Sequence, residues 1–272
     1  MKIACVGDVA LDDYVDEGIK KPGGICLNFA VHASLTGSSC SILSSVGTDE
    51  VGNKVKQLLK KLQFDISHLS QLDGATAKQK IRLTRGERKF VGYDAGTLLK
   101  WKLGDEDLRF ILQHDAVFAP LSDGLEDIFE TICHLKGSII KIADFSKDYK
   151  PVNLDVGDTP FGRYFKYFDM IFIGGDEDMI PLIKKMSLAH PQKLFVLTLG
   201  DKGSRAYRQD KQYVQMIVKA REVIDTTGCG DAFQGAFSAS YLRDHNIKKA
   251  LHKGAKEAAT VVAYIGSTEY SL

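Results

Sequence analysis

Apolar residues along the chain fall into short continuous runs and helical stripes, and the elements these predict alternate as strand and helix. Residues 2–6 form a compact run ending at Gly7-Asp8, as a buried parallel strand does before it enters a loop. Residues 41–46 are a second such run, and a helix follows with Val51, Val55, Leu58, Leu59 and Leu62 on one face. Further strands are predicted at 116–119, 138–145, 170–173 and 194–199, with helices at 125–135 and 179–186. Near the C-terminus Ile247, Ala250, Leu251, Gly254, Ala255, Ala258, Val262 and Ile265 make a stripe rich in small residues. Alternation of this kind implies an α/β fold with a central, mostly parallel sheet covered by helices on both faces. A single domain over 1–272 accommodates it, with 148–162 as a long loop.

The texture changes over 75–93, where Ala77, Gln79, Ile81 and Leu83 alternate, Arg85-Gly86-Glu87-Arg88 turns, and Phe90 and Val91 follow. That pattern predicts a hairpin covered on one face only. With a short strand and hairpin near 14–21 it predicts a small β-lid formed by about 13–22 and 75–97. Exposed alternating strands need a partner.

Composition narrows the function. Lys and Arg number 36 against 35 Asp and Glu, a formal charge of +1, which leaves no global footprint for nucleic acid or an anionic membrane. No stretch approaches the roughly 18 apolar residues of a membrane span, and the N-terminus reads as a first strand, not a signal peptide. The five cysteines, at 5, 26, 40, 133 and 229, lack metal-ligand spacing and read as reduced thiols of a cytoplasmic protein. Neither a GxGxxG fingerprint nor a Walker loop occurs, which counts against a nicotinamide oxidoreductase.

The chemistry concentrates at Asp225-Thr226-Thr227-Gly228-Cys229-Gly230-Asp231-Ala232-Phe233. An extended run at 221–224 precedes it, and Phe233, Ala236, Phe237 and Tyr241 follow at helical spacing, so the segment predicts strand, glycine turn, helix. Bare N–H groups at a helix N-terminus suit an anion. A carboxylate there, Asp231, suits a base that takes a proton from an attacking hydroxyl. The reaction class is then phosphoryl transfer to an alcohol, and the bland alternative makes Asp231 a first-turn acid. The same helix N-terminus is expected to lower the Cys229 pKa.

Other candidates are weaker alone. Asp8 and Asp12 follow the first strand, where acids suit polyol hydroxyls and solvated loop carboxylates are the alternative. Gly23, Gly24 and Asn28 mark a helix entrance over 27–35, where Asn28 can equally be a cap, and His32 reads as structural. Thr198, Gly200 and Gly203 can floor a nucleotide's phosphates or simply turn a hairpin. Asp176, Glu177 and Asp178 stand at another helix start.

The string at 225–233 resembles the signature Asp-Thr-x-Gly-x-Gly-Asp-x-Phe of the PfkB, or ribokinase-like, carbohydrate kinases. Gly23-Gly24-Ile25-Cys26-Leu27-Asn28 resembles their sugar-binding Gly-Gly-x-x-x-Asn, Gly47 to Gly52 fits their Gly-x-Asp-x-x-Gly, and Thr198-Leu199-Gly200-Asp201-Lys202-Gly203 matches their Thr-Leu-Gly-x-x-Gly. The resemblance implies an ATP-dependent sugar kinase. Asp231 becomes the base, with the amides of Gly228, Cys229 and Gly230 as the anion hole. Asp12 binds sugar hydroxyls, and Thr198, Gly200 and Gly203 bind ATP. It also implies Mg²⁺ organised through water by Glu177, although Gly174 replaces the usual Asn, and a monovalent cation such as K⁺ near Asp225 and Thr227. A homodimer paired through the lids is implied too. Asp65 to His68, Arg88 to Gly96 and Asp144 to Ser146 look most like the fructosamine-phosphorylating branch. There Arg88 belongs with the substrate-binding residues, and Asp8, Asp12 or Asp94 would pair with the substrate's ammonium. A fructokinase or other sugar kinase is the alternative, and a kinase-fold sensor without turnover is a second.

Overall fold

The computed structural model describes residues 1–145 and 162–268. Its strands and helices are, in order, β1 (Lys2–Val6), β2 (Ala10–Tyr14), β3 (Ile19–Gly23), α1 (Ile25–Leu35), β4 (Ser39–Gly47), α2 (Glu50–Lys61), β5 (Leu69–Leu72), β6 (Ala77–Thr84) and β7 (Glu87–Asp94). There follow α3 (Asp105–Ile111), β8 (Ala116–Pro120), α4 (Glu126–His134), β9 (Ile140–Asp144), β10 (Met170–Gly174), α5 (Ile180–Ala189), β11 (Leu194–Thr198), β12 (Ser204–Arg208), β13 (Lys211–Gln215), α6 (Cys229–Asp244) and α7 (Ile247–Val261).

Nine strands make one sheet in the order β13-β12-β11-β10-β9-β8-β1-β4-β5, parallel except for β12 and β13. The continuous apolar runs occupy its centre because both faces are covered. Ala4 and Val6 of β1 pack into one core with Phe129, Phe145 and Ile183, while Ile3 and Cys5 pack into the other with Phe29, Phe118 and Phe237. Helices α1, α6 and α7 cover the second face, where the Phe29 and Phe118 rings stack 3.7 Å apart. Helix α6 is buried on nearly every side from Ala232 to Leu242, which fixes its N-terminus rigidly.

The segments expected to form a lid make a second sheet, ordered β3-β2-β6-β7, in which β2 runs parallel to β6 and the other pairs are antiparallel. It begins earlier than the pattern predicts, at Ala10, so Asp12 stands on a strand and not in a loop. Every residue of β7 is exposed.

Other expectations need correction. Residues 221–224 form no strand; Ile224 and Asp225 donate to the Val262 carbonyl at the end of α7, and Val223 is exposed. Hydrogen bonds to a helix end replace those of a sheet. The first helix of the core starts at Ile25, two residues before the expected position, and Ile265 lies beyond α7. The β12–β13 hairpin and α3 are additions. Most of the 148–162 loop, and Ser146, lie outside the described residues.

Candidate functional site

Strand β1 delivers Asp8 to the N-terminus of α1, where its carboxylate accepts from the N–H groups of Ile25 (2.9 Å) and Cys26 (3.2 Å). Gly24, at φ 105°, passes so near that a β-carbon would lie 2.6 Å from the Asp8 carbonyl oxygen. Asp8 is thus the cap of α1 as well as a site acid. Asp12, on β2, is buried, and a β-carbon at the neighbouring Gly23 would fall 2.2 Å from its carboxyl carbon. Burial, with Asp231, Asp8 and Asp225 nearby, holds the Asp12 carboxyl well above the usual range, and Arg88 opposes the shift.

Asp231 stands in the first turn of α6. Its Oδ2 accepts from Asn28 Nδ2 at 2.7 Å. Burial raises its pKa to about 7; the Asn28 bond and Arg88 pull down, while Asp144 and Asp8 push up. Gly228 precedes the helix at φ 74°, packed so tightly that a β-carbon would sit 2.1 Å from Ser267 Cβ. The N–H groups of Gly228, Gly230 and Asp231 have no acceptor among the described residues, whereas that of Cys229 reaches the Thr226 carbonyl at 3.4 Å. Three bare donors therefore converge at the positive end of a 16-residue helix, beside a carboxylate.

The Cys229 expectation reverses. Burial pushes its thiol up to about 12 against the opposing pull of Arg88, with Asp225 and Asp231 adding to the rise.

Two lid residues reach this turn. Arg88 Nη1 donates to the Thr226 carbonyl at 2.6 Å, and Thr226 N–H donates back to Gly86 O at 3.1 Å. The Tyr14 hydroxyl donates to Asp225 Oδ2 at 2.6 Å. Asp94 is exposed and accepts from Gly96 N–H at 2.9 Å, which ties it into a turn. Tyr93 is 39% exposed, and the burial of its remainder raises its pKa, with Asp8, Asp123, Asp94 and Glu126 adding to the shift. Of these, Tyr93, Asp123 and Glu126 carried no functional signal in the sequence.

The Thr198-Leu199-Gly200 stretch ends the buried strand β11 and turns the hairpin into β12. Leu199 N–H donates to Gly203 O, Gly203 N–H to Gly200 O, and both glycines have positive φ. Among the described residues no group of three His, Cys, Asp or Glu side chains is placed to hold a metal. Glu177, exposed, is paired with Lys202, which holds it below the usual carboxylate range. Glu177 is the acid the resemblance assigns to Mg²⁺ through water, and in this structure its carboxylate is engaged by Lys202. The Asp225 carboxylate already takes donors from Tyr14, Thr227 N–H (2.8 Å) and Gly266 N–H (2.9 Å). The Thr227 hydroxyl is buried and has no hydrogen-bond partner among the described residues. Asp65 bonds to Ser67, and His68 pairs with Asp107 and stacks on Phe110, so that segment braces α3.

A profile described as pfkB family carbohydrate kinase matches residues 2–117 and 173–272. A fructoselysine 6-kinase of Escherichia coli (strain K12) is 28% identical over 97% of this chain and 98% of its own. A fructosamine kinase of Bacillus subtilis (strain 168) is also 28% identical, over 99% and 94%. Among solved structures, the Methanocaldococcus jannaschii nucleoside kinase, an archaeal member of the ribokinase family, superposes with a TM-score of 0.78 at 22% identity, covering 99% of this chain and 94% of that one. A Giardia lamblia ribokinase gives 0.80 at 18% identity, over 98% and 95%.

Proposed function

Because the chain belongs to the pfkB family carbohydrate kinases and is an ATP-dependent sugar kinase, we propose that it phosphorylates the 6-hydroxyl of a fructosamine such as fructoselysine, a ketose whose C1 carries an amino acid. The observation that carries the chemistry is the set of bare N–H groups of Gly228, Gly230 and Asp231 opposite the Asp231 carboxylate.

The hydroxyl gives its proton to Asp231 as its oxygen bonds to the γ-phosphorus of ATP, and the bond from that phosphorus to the bridging oxygen breaks, releasing ADP. The three N–H groups hold the charge on the transferring phosphoryl oxygens, and Arg88 adds a cation from the lid. Thr198, Gly200 and Gly203 floor the nucleotide, while Asp12 and the backbone at Gly23 and Gly24 take the sugar hydroxyls. Mg²⁺ carried on ATP would supply neutralisation of its phosphate charge.

The fructosamine assignment draws on the acids around Tyr93. Asp8, Asp94, Asp123 and Glu126 give the lid side of the site a negative field that suits an ammonium group and offers little to neutral fructose. Both relatives cited above phosphorylate, by name, substrates of this class. Comparing kcat/KM for fructoselysine, a second fructosamine, fructose and ribose at fixed ATP tests the assignment. Equal or better activity on fructose makes the protein a fructokinase. We also propose that two copies pair through β7, which exposes Phe90, Val91 and Tyr93. A monomer in sedimentation at micromolar concentration would exclude this.

A further inference from the structure

Asn28 lies between two partners. Its Nδ2 donates to Asp231 Oδ2 at 2.7 Å, and its Oδ1 accepts from Ser267 Oγ at 2.5 Å. Ser267 follows α7, is fully buried and has its Cβ pressed against Gly228. From behind, the Ser267 carbonyl faces His32 Nε2 at 2.8 Å, and His32 Nδ1 faces Glu257 Oε1 at 2.9 Å. Asp231, Asn28, Ser267, His32 and Glu257 of α7 are thus joined in series, the hydroxyl of Ser267 serving one neighbour and its carbonyl the next.

A carboxamide has one accepting end and one donating end. With the Ser267 hydroxyl donating to Oδ1, the NH₂ end turns toward Asp231 and donates to its charged form. The opposite orientation would set the amide oxygen against the carboxylate. We propose that Ser267 and Asn28 are positioning residues for the base, with Ser267 setting the orientation of the Asn28 amide and Asn28 holding the Asp231 carboxylate, while His32 and Glu257 pin Ser267. The role rests on reading Asp231 as the base of a sugar kinase. It adds to Asn28 a task beyond sugar contact and to Ser267 one that no sequence motif contains.

The charged groups facing Asp231 are Arg88 from β7, Asp8 after β1, Asp12 from β2 and Asp144 at the end of β9. None of them is altered by removing the Ser267 hydroxyl, so a change in the titration of Asp231 on that substitution reports the relay.

The test is a carboxyl-¹³C titration of the full chain without substrates, with Asp231→Asn assigning the resonance. Loss of a hydrogen bond to a charged group shifts a titration by about one unit or more, so Asn28→Ala moves the Asp231 midpoint upward by about that much, and Ser267→Ala by about half as much. The double variant moves it no further than Asn28→Ala alone. In turnover, the acidic limb of kcat/KM moves by the same amounts. A purely structural Ser267 would lower Tm and leave the midpoint in place, which overturns the proposal, as does an additive double variant or an unmoved midpoint in Asn28→Ala. If Ser267→Ala does not fold, Ser267→Cys keeps the size, weakens the donor and carries the same expectation. The titration needs no turnover, so an unmoved midpoint in a protein that phosphorylates sugars removes only the relay. A wild type without ATP-dependent sugar phosphorylation removes the kinase reading itself.

Discussion

The sharpest expectation concerns the pH dependence of Asp231. An ordinary aspartate, with a pKa of about 3.9, is about 99% ionised at pH 6 and would give a flat rate from there to pH 8. Burial raises Asp231 to about 7, so the ionised share is about one-tenth at pH 6 and about nine-tenths at pH 8, and kcat/KM for the sugar rises roughly tenfold between them. ADP release followed from pH 5.5 to 9 at saturating ATP measures it. Asp231→Asn lowers kcat by roughly 10² to 10⁴ and abolishes the limb. The raised value also fixes a stability slope. Between the unfolded pKa and about 7 the native state holds a proton that the unfolded chain has released, so stability falls as pH rises through that window. Asp12, raised in the same direction, contributes alongside, and Asp231→Asn lessens the slope. A flat kcat/KM from pH 5.5 to 8, or a limb that survives in Asp231→Asn, refutes the assignment of Asp231 as base.

Arg88→Ala removes the 2.6 Å bond to the Thr226 carbonyl and the cation beside Asp231; kcat/KM should fall roughly 10- to 100-fold, and a change under twofold would remove Arg88 from the site. Gly228→Ala sets a residue at φ 74° and a β-carbon against Ser267, costing about 1–2 kcal/mol for the backbone and about 1–3 kcal/mol for crowding; a denaturant melt with an unchanged midpoint would contradict that packing. Since Tyr14, Thr227 and Gly266 already supply donors to Asp225, turnover should be equal in sodium and potassium buffers, and strong activation by potassium would show that a cation binds there after all.

The buried strands were legible because a strand covered on both faces must be apolar throughout, as β8 and β10 are. The hairpin of β12 and β13 was not, since its residues are mixed and its outer strand is largely exposed. Residues 221–224 misled because a short extended run, here Arg221-Glu222-Val223-Ile224, reads alike whether a sheet or a helix end takes up its backbone. At the site, Gly228 and Asp231 stood out because their chemistry is local: a turn, a helix start and an acid. Cys229 went the other way because burial is a property of the whole fold. Ser267 left no trace, since a single serine far from any motif acquires its role only when α7 carries it against Asn28.

The parallel pairing of β2 with β6 also bears on the order in which the molecule assembles. Ala10 lies opposite Ala77, and β3, α1, β4, α2 and β5 intervene in the chain. Two such distant segments meet cheaply only after the intervening unit has condensed, because closing the loop between them costs entropy that no local contact offsets. In the lid sheet β7 is the outer strand and is exposed along its whole length, so its hydrogen bonds are less protected than those of the covered central strands. In native-state hydrogen exchange the amides of β6 and β7 should open at lower free energy than those of β1 and β8, so the site can come apart at its lid while the sheet beneath it stays folded.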